Sequence, residues 1–178
     1  MKNKLVILGA GGHAKVVLDA VLSEGKWEVI GFCVDDIVVG SKIFDQYKVL
    51  DDASLSHKQI DFTTFFVVAV GDNMHRKRLY DNAALKFSPA VIVHATAFVS
   101  ASASIGKGTV VLAKAVVNAG SYIGENSIVS TGVLIDHDCS IGNNSHLAIG
   151  TVVASKVTLP HNFLSDPAAV LTSFAINQ

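Results

Sequence analysis

From Val93 to Leu159 an aliphatic residue stands at every sixth position, through Val99, Ile105, Val111, Val117, Ile123, Val129, Ile135, Ile141, Leu147 and Val153. A helix repeats about every 3.6 residues and a strand about every 2, so neither produces this spacing. Two residues earlier the side chain is usually small, as at Ala97, Ala103, Thr109, Ala115, Ser121, Ser127, Cys139, Ser145 and Thr151, and glycine often follows the aliphatic residue. A repeat that turns one small and one aliphatic side chain inward and then rounds a corner describes a parallel β-helix built from hexapeptides. Three such sides close a triangular coil, so equivalent positions recur about every eighteen residues. The 72 residues from Val93 to Leu164 then fill about four coils, stacked at the ~4.8 Å spacing of neighbouring strands. Past Leu159, Leu164, Val170 and Ile176 resume the period only if one residue is dropped. Pro160 and Pro167 stand near that slip, and proline donates nothing to a strand ladder, so this end is expected to be irregular.

Charge divides the chain at the same place. Of 29 charged residues, 22 fall in residues 1–90 and 7 in residues 91–178, which predicts two domains meeting near Pro89. In the first, Leu5 to Leu8 reads as a strand buried on both faces, and GAGGHAK follows at once. Ala14, Val17, Leu18, Val21 and Leu22 then repeat at helical spacing, which predicts a helix from near Gly12 to around Gly25. WEVIGF from Trp27 reads as a second strand and FTTFFVVAV, Phe62 to Val70, as a third; Leu79, Tyr80, Ala83, Ala84 and Phe87 mark a second helix. Gly9, Gly11 and Ala14 fit a dinucleotide fingerprint. A dinucleotide needs two mononucleotide-binding halves, however, and about ninety residues supply one. The expectation is a half-Rossmann-like α/β unit whose helix N-terminus receives a nucleotide diphosphate.

Bulk properties exclude several partners. A net charge of -1 without a basic cluster gives no pull toward nucleic acid or an acidic membrane. The apolar run that opens the chain is too short for a signal segment or a membrane span, so a cytoplasmic protein is expected. Cys33 and Cys139, far apart, read as buried thiols rather than a disulfide or a zinc pair.

The second half holds four carboxylates, and two of them, Asp136 and Asp138, flank His137 in VLIDHDCSIG. An imidazole titrates near neutrality, and a carboxylate beside it fixes its tautomer and stabilises its charged form, so the trio suits proton abstraction. A solvated corner of the β-helix is the plainer alternative. Zinc would need three converging ligands. His137, His146 and His161 are spaced nine and fifteen apart, which does not match the coil period, so no metal is expected.

LGAGGHAKV, GFCVDD, VGDNMHRK and TGVLIDHDCSIGNNSHLAIG together resemble the sugar acyltransferases of the left-handed β-helix superfamily. Two groups are most similar: N-acetyltransferases of nucleotide-linked 4-amino sugars and sialic acid O-acetyltransferases. The resemblance implies acetyl-CoA as co-substrate, a homotrimer with the cofactor between neighbouring β-helices, and a UDP-linked 4-amino sugar as acceptor. It implies His137 as general base with Asp138 raising its basicity, and Gly11, His13, Asp35, Asp36, Gly71, Asn73 and Arg76 holding nucleotide and sugar. It places His146 near the thioester, and the Ser155 N–H on the thioester carbonyl oxygen. Ser155 and Pro160 replace common glycines, and the chain ends at Gln178 where the family usually adds coils. These departures imply weakened acetyl-CoA binding, and at the limit a nucleotide-sugar-binding protein with little catalysis.

Overall fold

The computed structural model describes residues 2–53, 60–61 and 63–172. The first part is β1 (Asn3–Leu8), α1 (Gly12–Glu24), β2 (Trp27–Cys33), β3 (Lys42–Ile43), β4 (Tyr47–Asp51), β5 (Phe65–Val68), α2 (Asn73–Ala84) and β6 (Ser88–Pro89). They form one sheet in the order β3-β4-β2-β1-β5-β6, parallel except for the β3–β4 pair. Leu5, Val6, Ile7 and Leu8 are all fully buried, as a strand covered on both faces requires. Gly25 ends α1 in the left-handed conformation (φ 72°), a helix stop that glycine reaches without strain. The third strand is shorter than its apolar run suggests: Phe65 to Val68 pair with β1, and Ala69 and Val70 already belong to the turn into α2. Phe62 lies outside the described residues.

The β-helix consists of two-residue strands, from Ile92–Val93 to Val170–Leu171, in three parallel sheets. Every pairing joins residues eighteen apart, as in Val93–Val111–Val129–Leu147 and Ile105–Ile123–Ile141–Leu159. The second residue of each strand turns inward, and Val111, Val117, Ile123, Val129, Ile135, Ile141, Leu147, Val153 and Leu159 form its apolar centre. From Thr109 to Thr151 the small corner residues are buried too, and hydroxyls among them reach main-chain carbonyls; Thr109 donates to Gly124 and Ser121 to Asp136, each at 2.7 Å.

The expected slip after Leu159 does not occur. Leu164 bridges His146 and Leu171 pairs with Val153, both at the unbroken separation of eighteen. The inward position after Leu159 belongs to Ser165, 5% exposed, whose hydroxyl meets Thr151 Oγ1 at 2.8 Å and accepts from the Ala148 N–H at 2.8 Å. Leu164 and Val170 point to solvent. A polar residue keeps the count here because its hydrogen bonds are satisfied inside. Ile176 lies outside the described residues.

The three sides have different surroundings. Ile92, Val110 and Ile128 face α1 and share a single core cluster with Leu5, Ile7, Val17, Leu18 and Val21, so the two parts are packed as one body. On the second side Phe98, Val116, Leu134, Val152 and Val170 stack outward; four are exposed and Val116 is partly buried. Ser104, Tyr122, Ser140 and Thr158 face solvent on the third.

Candidate functional site

The candidate residues fall into three places. At the carboxyl ends of β1, β2 and β5 a crevice of about 180 Å³ is lined by Gly9, Ala10, Asp35, Asp36 and His75, the edge where open α/β sheets hold ligands. Asp35 Oδ1 accepts from the Ala53 N–H at 2.9 Å, which fixes one carboxylate oxygen, and Asp36 has no side-chain partner among the described residues. His75 was not singled out from sequence. Its Nε2 is buried with no partner among the described residues, and its place in the first turn of a helix leaving the same sheet edge was the available signal.

The second place is the junction between α/β unit and β-helix. Gly11 caps α1 without a side-chain bond, and the Gly12 and His13 N–H groups have no acceptor among the described residues, whereas the Ala14 N–H donates to the Gly11 carbonyl at 3.0 Å. His13, in that first turn, packs its ring against His146 with centroids 6.1 Å apart. Its Nε2 is enclosed without a partner among the described residues. Burial, then His146 and Arg76, push the His13 imidazole down to about 4. His146 is also lowered, first by burial. Its Nδ1 lies 3.1 Å from the Gly71 carbonyl, which only accepts, so the proton sits on Nδ1 and Nε2 takes the Ser130 hydroxyl at 3.2 Å.

An unfolded His13 takes up a proton near pH 6.5, whereas the folded one resists until about pH 4. The folded chain therefore holds a stability advantage above the higher value that is lost as pH falls through the lower one. At about 1.4 kcal/mol per pKa unit it amounts to ~3 kcal/mol. Thermal unfolding followed across this range should show the midpoint falling with acid, and falling less in His13→Gln.

Asn73 and Arg76 occupy the same junction in a different capacity. Arg76 is 1% exposed. Its Nε donates to Asn126 O (2.9 Å), Nη1 to Val70 O (3.2 Å) and Gly71 O (2.9 Å), and Nη2 to Asn73 Oδ1 (2.7 Å), Asn144 O (2.7 Å) and Ser145 O (3.2 Å). With every N–H engaged, the guanidinium has no donor left for the nucleotide or sugar that the resemblance implied it would hold. Asn73 Nδ2 donates to Asn162 O and Phe163 O. Tyr80, one turn further, rests on Gly108, where a Cβ would collide with its ring. Thus α2 lies along one corner of the β-helix, with Tyr80, Arg76 and Asn73 meeting successive coils at residues 108, 126, 144 and 162. One helical turn rises about 5.4 Å and one coil about 4.8 Å, close enough for this matching.

The third place is the corner after Leu134–Ile135, opposite the side that carries His146. His137 Nδ1 lies 2.8 Å from Asp138 Oδ2, with both side chains about half exposed. The carboxylate accepts from Nδ1–H, and the lone pair of Nε2 is then directed to solvent. Asp136 acts on the backbone, its Oδ1 accepting from the His137 N–H at 2.8 Å. Asp138 sits in the left-handed region (φ 60°), which aspartate tolerates. Ser155 is eighteen residues beyond His137 and so one coil above it, and its N–H has no acceptor among the described residues. Cys139 is enclosed, its Sγ 3.1 Å from the Ala154 carbonyl, and burial raises its thiol; Cys33 is buried as well. The described residues hold no group of three or more His, Cys, Asp or Glu that could take a metal ion. They also include no helix long and apolar enough to cross a membrane.

Known proteins resemble this arrangement. Residues 4–83 match the PglD N-terminal domain family. Over 110 residues, 61% of the chain, the sequence is 30% identical to UDP-N-acetylbacillosamine N-acetyltransferase of Bacillus subtilis (strain 168), and the match spans 50% of that enzyme's length. The acetyltransferase domain of PglB from Neisseria gonorrhoeae FA1090, solved with acetyl coenzyme A, superposes with a TM-score of 0.82 at 31% identity, covering 97% of this chain and 94% of that one. A mutant of perosamine N-acetyltransferase from Caulobacter crescentus, solved with CoA and GDP-perosamine, gives 0.80 at 27% identity, covering 96% and 89%.

Proposed function

Because the chain belongs to the sugar N-acetyltransferase family of left-handed β-helix proteins, we propose that it transfers acetyl from acetyl-CoA to the amino group of a UDP-linked 4-amino sugar. The observation that carries this reading is the 2.8 Å contact between His137 Nδ1 and Asp138 on an exposed corner. An amine attacks a thioester carbonyl through its lone pair and must shed a proton as the C–N bond forms. His137 Nε2 takes that proton, Asp138 stabilises the imidazolium, the C–S bond breaks, and CoA leaves as the thiol after reprotonation. In this reading the Ser155 N–H, one coil above, donates to the carbonyl oxygen as it gains charge.

The nucleotide belongs in the crevice of Asp35 and Asp36, with its diphosphate toward Gly11, His13 and Gly71 at the open N-terminus of α1. Since this cleft and the His137 corner lie on opposite sides of one β-helix, a second copy of the chain completes the site. The outward stack Phe98, Val116, Leu134, Val152 and Val170 adjoins the His137 corner, because Leu134 and Ile135 lead directly into it. Self-association through that stack, as a homotrimer, sets the corner of one chain beside the cleft of the next. A contiguous exposed apolar strip of this kind marks an interaction surface.

The test is release of free thiol from acetyl-CoA with a UDP-linked 4-amino sugar, a GDP-linked 4-amino sugar or N-acetylneuraminate as separate acceptors. Release with the first carries the proposal; release with only another acceptor replaces the substrate, and silence with all three overturns the transferase reading. Leu134→Asp should dissociate the assembly in analytical ultracentrifugation and abolish release together.

A further inference from the structure

Corner residues of successive coils stack eighteen apart, and Gly120 lies directly beneath Asp138. Both are left-handed, at φ 71° and φ 60°. The Asp138 N–H donates to the Ala119 carbonyl at 2.9 Å, which holds the two corners in register. A Cβ placed on Gly120 would run into Asp138 Oδ1, with Asp138 Cγ at 3.5 Å and Asp138 Cα at 3.8 Å. The carboxylate therefore occupies the volume a side chain at position 120 would take. Lys114 and Lys156 adopt the same left-handed corner conformation with full side chains, so backbone geometry alone does not demand glycine at a corner.

We infer that Gly120 is a positioning residue for the acid/base pair: its missing side chain is the seat of the Asp138 carboxylate, and through it sets the tautomer of His137. The inference rests on the acid/base role proposed for His137. A methyl group at Gly120 displaces Oδ1, rotates the carboxylate and takes Oδ2 away from His137 Nδ1.

Gly132 supplies a matched control within the molecule. It holds a corner at φ 69°, and a Cβ there meets nothing within 4 Å. Gly120→Ala and Gly132→Ala thus carry the same left-handed strain, on the order of 1 kcal/mol, and differ in what the methyl touches. The experiment records ring-nitrogen NMR of His137 in the full-length protein without substrate, at a pH where the imidazole is neutral. Wild type and Gly132→Ala should hold the proton on Nδ1, whereas Gly120→Ala should move it largely to Nε2, the tautomer a free imidazole prefers. In the transfer assay Gly120→Ala should lose about 10- to 100-fold in kcat, below the full 10²- to 10⁴-fold contribution of a general base because the imidazole itself is kept, with KM for acetyl-CoA unchanged.

Asp138→Gly fits the same backbone and removes the carboxylate, so adding Gly120→Ala to it should change kcat no further. An unchanged tautomer in Gly120→Ala, an equal change in Gly132→Ala, or additive losses in the double variant would each overturn the inference. The spectra need no acceptor, so they decide it even where the transfer reading fails.

Discussion

Replacing His137 with alanine lowers acetyl transfer by about 10²- to 10⁴-fold, the usual contribution of a positioned general base, while the fold is kept. The side chain is about half exposed on a corner, and among the described residues it bonds only the similarly exposed Asp138, so its loss opens no cavity. Steady-state kinetics beside a thermal unfolding midpoint separate the two effects: turnover collapses and the midpoint stays within the range of an ordinary surface change. Asp138→Asn should fall between the variant and the wild type, because an amide can still accept from Nδ1–H but does not stabilise the imidazolium as a carboxylate does. A His137→Ala protein that keeps near-normal turnover would remove the acid/base reading.

Arg76→Ala should produce the opposite pattern, a loss of structure felt throughout the chain. The guanidinium is buried and supplies hydrogen bonds to the carbonyls of Val70, Gly71, Asn126, Asn144 and Ser145. Burial lowers it to about 10, still charged at neutral pH, with the Asp72 carboxylate acting in its favour. Removing the side chain leaves those carbonyls facing a cavity, and breaking a buried charged network of this kind costs about 3–5 kcal/mol. For a chain of this size that corresponds to a midpoint lower by roughly 10 °C. Arg76→Lys should recover only part of it, since an ammonium has three donors for an array that uses five. A midpoint unmoved in Arg76→Ala would show that the junction does not depend on this residue.

The β-helix was legible because its inward residues are aliphatic at a fixed interval, and side-chain periodicity is what sequence displays. Ser165 broke the reading for the same reason. Counting aliphatics assigns Leu164 and Val170 inward, whereas the chain keeps its count by satisfying a serine hydroxyl with Thr151 and Ala148. The hairpin β3–β4 left no signal, since its turn puts Phe44 and Asp45 at φ 45° and 65° without a glycine. The His137–Asp138 contact could be anticipated, both residues lying side by side in the sequence. The place of Arg76 could not, because nearly all its partners are main-chain carbonyls, which any residue type supplies. His75 was overlooked beside Asn73 and Arg76, though its imidazole, unlike theirs, turns toward the crevice.

The docking of α2 works as a vernier. Two scales, about 5.4 Å for the helix and about 4.8 Å for the coils, are set against each other and drift by roughly half an ångström per division. Over the few divisions from Tyr80 to Asn73 the drift is absorbed by the reach of the side chains; a longer helix would run out of step and meet the spaces between coils. The contact is thereby confined to a few coils, the last reached at Asn162 and Phe163. Coils beyond that mark can be added or removed in whole units of eighteen residues without disturbing how the two parts fit, so the length of the β-helix is a quantity that can vary independently of the crevice at Asp35 and Asp36.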